Sequence, residues 1–240
     1  MVPATKVLLL VGGLGTRLRS VLPSAPKALA RIGGAPFVEL LISQLRDQGF
    51  TELIMCTGYL ADQIERKFGD GTELGVSIEY SRESQPLGTG GAVKLAEKLL
   101  QDNLDFVVMN GDSFSEVDLA GLVRLHRARQ CIATIAVVAV EDASRYGTVV
   151  ADSSSRILEF FEKTGDHSPG VINAGVYVFS SSVFHHIPAG KVSLETDVFP
   201  KLLEHGVYAA NQTGMFIDVG TPADYLRAEQ LMVERCGKRD

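Results

Sequence analysis

"KVLLLVGGLGTRLRS", Lys6 to Ser20, runs from five consecutive apolar residues, Val7 to Val11, straight into glycines 12, 13 and 15 and arginines 17 and 19. A continuous apolar run that stops at glycine reads as a buried strand entering a tight turn. Bare backbone N–H groups and guanidinium forks both bind phosphate oxygens, so the stretch reads as a phosphate grip or as a glycine turn with incidental surface arginines. Two familiar grips are excluded. The chain has no GxxxxGK[ST] loop, and Leu18 stands where a dinucleotide fingerprint needs its third glycine.

Outward from this stretch the pattern repeats. Apolar runs "ELIMCTG" (Glu52–Gly58), "VSIEYS" (Val76–Ser81), "DFVVMNGD" (Asp105–Asp112) and "IATIAVVAV" (Ile132–Val140) read as strands. Helical spacing falls between them at Phe37–Gln48, Ala61–Phe68, Gly90–Leu100 and Leu119–Arg129. The alternation predicts an α/β fold: a Rossmann-like three-layer sandwich with a mostly parallel central sheet. From Arg145 to Phe179 short strand-like pieces follow without long helices, which predicts an antiparallel insertion. Helices are expected again near Glu195–Glu204 and Pro222–Glu234; Thr221 is a cap, Pro222 the first helical residue, and Asp224 lies three past the cap.

Composition bounds the partners. With 240 residues, 45% of them hydrophobic, the chain can bury one sizeable core, and residues 1–240 read as a single domain. A net charge of −6 argues against bulk affinity for nucleic acid, so a polyanionic ligand needs a local cluster of cations. Lys27 supplies one: it lies ten residues past Arg17 in "APKALARIGGAPF", behind a proline that restricts the chain. No apolar run approaches the ~18 residues of a membrane span, so no membrane partner is expected. Cys56, Cys131 and Cys236 form no CxxC pair, which fits a reducing compartment and a cytoplasmic location.

Two carboxylates stand out. Asp112 ends "DFVVMNGD" and Asp218 ends "GMFID", and strand ends are where open α/β sheets build their ligand crevice. Either can hold Mg²⁺, which is commonly bound by one or two carboxylates plus phosphates; alternatively Asp112 serves a turn and Asp218 caps the following helix. Glu83 offers two acceptors to the adjacent N1–H and N2–H₂ donors of guanine, or is an exposed loop residue. His126, His167, His185, His186 and His205 show no metal-ligand spacing, and Cys56, Cys131 and Met109 read as core.

"GGLGTRL", then "PKAL" and "GAPFVELL", resembles the signature of the sugar-phosphate nucleotidyltransferases, the NDP-sugar pyrophosphorylases. The blocks "PLGTGGAV", "NGD", "YGTV", "FEK", "NAGVY", "SLETDVFP" and "FIDVGTP" follow in that family's order across nearly the whole chain. Together they look most similar to the short guanylyltransferases acting on D-glycero-α-D-manno-heptose 1-phosphate. Two departures are Thr164, where proline often follows the family's lysine, and Gln85, where glutamate often precedes "PLG".

The resemblance implies attack by a sugar 1-phosphate on the α-phosphorus of a nucleoside triphosphate, with Mg²⁺ as cofactor and release of pyrophosphate. It implies a nucleotide site of Leu10, Gly12, Gly13, Gly15, Thr16, Arg17, Lys27, Glu83, Gly88 and Thr89, in which Arg17 holds the β- and γ-phosphates and Lys27 the α-phosphate. On the sugar side it implies Asn110, Tyr146, Gly147, Glu162, Lys163 and Asn173, with Lys163 on the sugar phosphate and Glu162 on vicinal hydroxyls; Tyr146 alternatively only packs. Arg17, Lys27, Asp112, Lys163 and Asp218 are then the catalytic set, with Asp112 and Asp218 on the metal. GTP and the heptose phosphate, giving GDP-heptose for glycan synthesis, are the expected substrates. Mannose or glucose 1-phosphate with a guanylyl, uridylyl or thymidylyl donor is the alternative. A non-catalytic nucleotide-sugar-binding subunit is a further reading, as is a glycosyltransferase, although "NGDS" lacks a DxD pair. A homodimer without a hexapeptide-repeat domain is the expected assembly.

Overall fold

A computed structural model describes residues 5–18, 25–161, 165 and 167–236. In chain order the strands are β1 Val7–Leu10, β2 Arg31–Ile32, β3 Ala35–Pro36, β4 Glu52–Thr57, β5 Ser77–Arg82, β6 Asp105–Asn110 and β7 Ser113–Ser115. They continue with β8 Ala133–Val140, β9 Thr148–Ala151, β10 Ile157–Phe161, β11 Gly170–Ser180, β12 Val207–Gln212 and β13 Phe216–Asp218. The α-helices are α1 Phe37–Asp47, α2 Ala61–Phe68, α3 Gly88–Leu95, α4 Leu119–Arg129, α5 Phe199–Leu202 and α6 Pro222–Cys236.

β1 lies at the centre, parallel to β4 on one side and β6 on the other, and β5 extends the parallel run beyond β4. Successive residues of β1 face opposite cores: Val7 and Leu9 pack with Phe37, Leu41, Met109 and Val123, while Leu8 packs with Val93, Phe106, Val108 and Phe199. Both faces are therefore covered, which is why the strand is apolar at every position. Each fully buried side chain of this size contributes about 1.5–3 kcal/mol, so the three-layer arrangement follows from the pattern alone.

The insertion is antiparallel but enters the main sheet. β11 runs antiparallel between β6 and β8, carries β9 and β10 on its first half, and β12 completes the far edge parallel to β8. A register shift between Asn173 and Tyr177 bends β11 where it passes from one set of partners to the other. α2 and α4 have the bounds expected from their spacing. The helix expected at Gly90–Leu100 starts at Gly88 and tightens to a 3₁₀ turn over Ala96–Leu99. The segment expected as one helix at Glu195–Glu204 is broken into a π-turn Leu194–Val198, α5 and a 3₁₀ turn Leu203–His205. Pro200 has no N–H to continue an α ladder through this stretch.

A separate pair, β13 with β7, sets Asp218 opposite Ser113. α6 begins immediately afterwards with a reciprocal cap: Asp224 Oδ2 accepts from the Thr221 N–H at 3.1 Å, and Thr221 Oγ1 accepts from the Asp224 N–H at 3.3 Å. The cap is Thr221, so Asp218 is released from the alternative of capping this helix.

One titratable group is packed far from the strand ends that carry the cleft. His126 on α4 is buried, its Nδ1 3.1 Å from Thr134 Oγ1 and 3.5 Å from Cys131 Sγ, and burial pushes its pKa down to about 4. The folded state thus resists a proton that the unfolded chain accepts near pH 6.5. The stabilisation is complete above that value and lost as pH falls from about 6.5 towards about 4, on the order of 3 kcal/mol in all. In denaturant titrations between pH 7 and pH 4 the wild type should lose stability more steeply than His126→Gln; parallel curves would contradict this.

Candidate active site

β1, β4 and β6 end at one level, with Leu10 in register with Cys56 and with Asn110. The chain leaves β1 for β4 on one side and reaches β6 on the other, and a crevice opens where neighbouring connections diverge. A cleft of about 270 Å³ occupies this point, walled by Leu10, Gly13, Gly15, Thr16, Lys27 and Asp112 among others. The glycine-rich stretch is its floor. Gly15 has φ +56°, and a Cβ on it would stand 3.2 Å from Lys27 Cβ, so glycine both makes the turn and lets Lys27 approach. The backbone of Arg17 lies in the 3₁₀ turn Thr16–Leu18, and its side chain lies outside the described part.

Lys27 Nζ meets Asp112 Oδ2 at 3.0 Å; the lysine is 13% exposed and the aspartate 49%. Asp112 also walls a second cleft of about 290 Å³, with Asn110, Tyr146, Gly147, Asn173 and Asp218. The two clefts therefore share one carboxylate. Asp218 reaches this wall because β13 pairs with β7 and the Val219 N–H donates to the Asp112 carbonyl at 2.9 Å. Burial, then the charge of Asp112, holds the Asp218 carboxyl above the usual carboxylate range, against the pull of Lys27. Its oxygens accept no hydrogen bond among the described residues.

In the second cleft the bend of β11 sets the polar groups. Asn173 Nδ2 donates to the Tyr177 hydroxyl at 2.8 Å and Asn173 Oδ1 accepts from the Gly175 N–H at 2.9 Å. Gly175, at φ +74°, leaves room that a Cβ would take 2.9 Å from Asn110 Nδ2. Asn110 Oδ1 is buried and without a hydrogen-bond partner among the described residues. Tyr146 packs edge-on against Phe216, ring centroids 5.4 Å apart, so it both packs and lines the wall.

Other candidates fall elsewhere. Glu83 stands beside Gly12 and Gly58, where a Cβ would come 3.2 Å and 2.4 Å from its Oε1. Its Oε2 accepts the Leu87 N–H at 3.0 Å, and burial raises its pKa. One oxygen thus already clamps the "PLG" turn. Gly88, at φ +72°, lets the start of α3 approach the Val192 carbonyl, 2.5 Å from where its Cβ would be. Thr89 turns towards the second cleft: its hydroxyl donates to Glu195 Oε2 at 2.8 Å and accepts from the Leu194 N–H at 2.8 Å. Glu162 and Lys163 lie outside the described residues, directly after β10, whose Phe160 lines the second cleft.

Sequence reasoning missed Ser193 and Glu195, which line that cleft, the Ser193 hydroxyl donating to Glu195 Oε2 at 2.8 Å. The "SLETDVFP" block carried the signal, but no spacing tied it to β6 or β11. Among the described residues no three potential metal ligands cluster; Asp112 and Asp218 are two carboxylates lining one cleft.

The chain is 42% identical over 229 residues to a mannose-1-phosphate guanylyltransferase of Mycobacterium tuberculosis, covering 93% of this chain and 63% of that one. It is 40% identical over 228 residues to a D-glycero-alpha-D-manno-heptose 1-phosphate guanylyltransferase of Aneurinibacillus thermoaerophilus, covering 94% and 97%. It thus spans about three-fifths of the mannose relative and nearly all of the heptose relative. A crystal structure of HddC from Yersinia pseudotuberculosis complexed with GMP-PN superposes with a TM-score of 0.85 at 34% identity, covering 95% and 99%. The nucleotidyl transferase family model matches residues 6–235. From its β1 glycine turn to the α6 cap, the chain belongs to the nucleotidyl transferase family.

Proposed function

We propose that the protein joins GTP to D-glycero-α-D-manno-heptose 1-phosphate, giving GDP-heptose and pyrophosphate. The observation that carries this reading is the pair of clefts meeting at Asp112, one floored by a glycine turn with Lys27 and the other lined by sugar-sized polar groups. The near-complete coverage of the heptose relative supports that sugar. Mannose 1-phosphate is the second reading, favoured by the higher identity to the mannose relative.

In the first cleft, backbone N–H groups of the glycine turn and Arg17 would receive the triphosphate. Lys27 would give up Asp112 for an α-phosphate oxygen, where charge grows during transfer. In the second, the orphaned Asn110 Oδ1 suits a sugar hydroxyl donor, and Lys163 and Glu162 would hold the phosphate and vicinal hydroxyls. A phosphate oxygen of the sugar bonds to the α-phosphorus as the bond to the α,β-bridging oxygen breaks, and the electron pair leaves on pyrophosphate. Glu83, whose Oε1 stands beside Gly12 and Gly58, would accept from guanine, favouring GTP.

Asp112 and Asp218 fit a magnesium ion: both are oxygen donors lining one cleft, and Asp218 is a half-buried carboxylate without a hydrogen-bond partner among the described residues. Bound there with phosphate oxygens, Mg²⁺ would neutralise charge between the two anions.

Pyrophosphate release from four nucleoside triphosphates against heptose, mannose, glucose and N-acetylhexosamine 1-phosphates tests the reaction; GTP with the heptose phosphate should be fastest, and no release with any pair would remove the reading. Turnover should need Mg²⁺, and Asp112→Asn or Asp218→Asn should lower kcat by at least ~100-fold with the melting temperature little changed. Full activity in EDTA contradicts the metal assignment. Glu83→Gln should reduce discrimination between GTP and UTP by about 1–3 kcal/mol in kcat/KM; unchanged preference would leave Glu83 as a loop clamp alone.

A further inference from the structure

Arg145 lies in the loop between β8 and β9, one residue before Tyr146 on the sugar-side wall. Its guanidinium grips Asp224 as a fork: Nη1 donates to Oδ1 at 2.7 Å and Nη2 donates to Oδ2. The same Nη2 stands 4.0 Å from Asp218 Oδ2. Asp224 is held from its other side as well, because Oδ2 accepts from Thr221 Oγ1 at 2.6 Å and from the Thr221 N–H at 3.1 Å. One carboxylate therefore serves both the α6 cap and the guanidinium, and a planar fork held at two points has little freedom left to rotate.

Asp218 is the opposite case. Its backbone is fixed by the pairing with Ser113, yet its side-chain oxygens accept no hydrogen bond among the described residues, and the terminal torsion of an aspartate has a broad minimum. Oδ2 lies close to Gly220, where a Cβ would come within 2.7 Å, and 4.0 Å from Arg145 Nη2. Of the cationic groups acting on Asp218, Lys27 is already paired with Asp112, which leaves the Arg145 fork as the donor nearest Oδ2 among the described residues.

We propose that Arg145 is a positioning residue for the transfer: anchored by Asp224, it sets the rotation of the Asp218 carboxylate and thereby the cation position shared with Asp112. This rests on the assignment of Asp112 and Asp218 to the cation. A brace that only fastens α6 to the insertion would act on stability alone. A purely electrostatic role would also differ in sign. Arg145 with Asp224 is a neutral pair, so deleting the arginine alone leaves an extra negative charge that draws a cation in more tightly, whereas losing the orientation loosens it.

Arg145→Lys keeps the charge and removes the fork; Arg145→Gln with Asp224→Asn removes both charges together. With Mn²⁺ alone as probe, counted by electron paramagnetic resonance on the full chain, both variants should bind at least ~10-fold more weakly than wild type. The Mg²⁺ activation constant should move by the same factor while the nucleotide KM stays within about threefold. Wild-type Mn²⁺ affinity in Arg145→Lys, even with a lowered melting temperature, would overturn the proposal, as would an absence of Mn²⁺ binding by the wild type. If the wild type binds Mn²⁺ but releases no pyrophosphate, the reaction reading falls while the affinity comparison still decides the role of Arg145.

Discussion

The ion pair between Lys27 and Asp112 joins positions 85 residues apart, and the rest of the site is arranged around it. It forms only because β1 and β6 end in register, so that the loops leaving their carboxyl ends face each other across the crevice. Gly15 is then required for Lys27 to approach, and Gly111, whose Cβ would collide with the Leu10 carbonyl, for the loop bearing Asp112 to turn tightly. A charge pair in this place is a holding arrangement. In the proposed reaction phosphate oxygens would compete with Asp112 for the ammonium, and a divalent cation with Lys27 for the carboxylate, so that two ligands would relieve each other's displaced partner.

Electrostatic imbalance would favour the same exchange. Asp112 and Asp218 share the field of Lys27, and although the Arg145 guanidinium lies 4.0 Å from the half-buried Asp218, its carboxyl is still held high by burial and by its neighbour's charge. Two carboxylates that repel each other across a shared cleft would suit a cation bound with both. The scaffold keeps the two residues adjacent by backbone pairing: β13 on β7, and the Val219 N–H on the Asp112 carbonyl.

Much of this was legible in the sequence for a physical reason. Strands buried on both faces are apolar at every position, so β1 and β6 announce themselves, and the turn residues that end them mark the crevice. The α6 cap was legible because Thr221, Pro222 and Asp224 act locally. The insertion was readable as antiparallel, but not that β11 would wedge between β6 and β8, since pairing partners far apart leave no local pattern. For the same reason no local pattern points to Glu195 and Ser193 or to the bonds that tie the Thr89 hydroxyl to Glu195 and Leu194. Glu83 was read for its acceptors, without the Leu87 N–H that occupies one of them.

The central claim is that the two clefts meeting at Asp112 bring donor and acceptor together for one direct displacement. The stereochemical course at the α-phosphorus tests it. With a single diastereomer of GTP bearing sulfur on the α-phosphate and heptose 1-phosphate as acceptor, in-line transfer predicts a nucleotide-sugar of inverted configuration. Retention would mean two displacements through a nucleotidyl-protein intermediate, and would contradict the account.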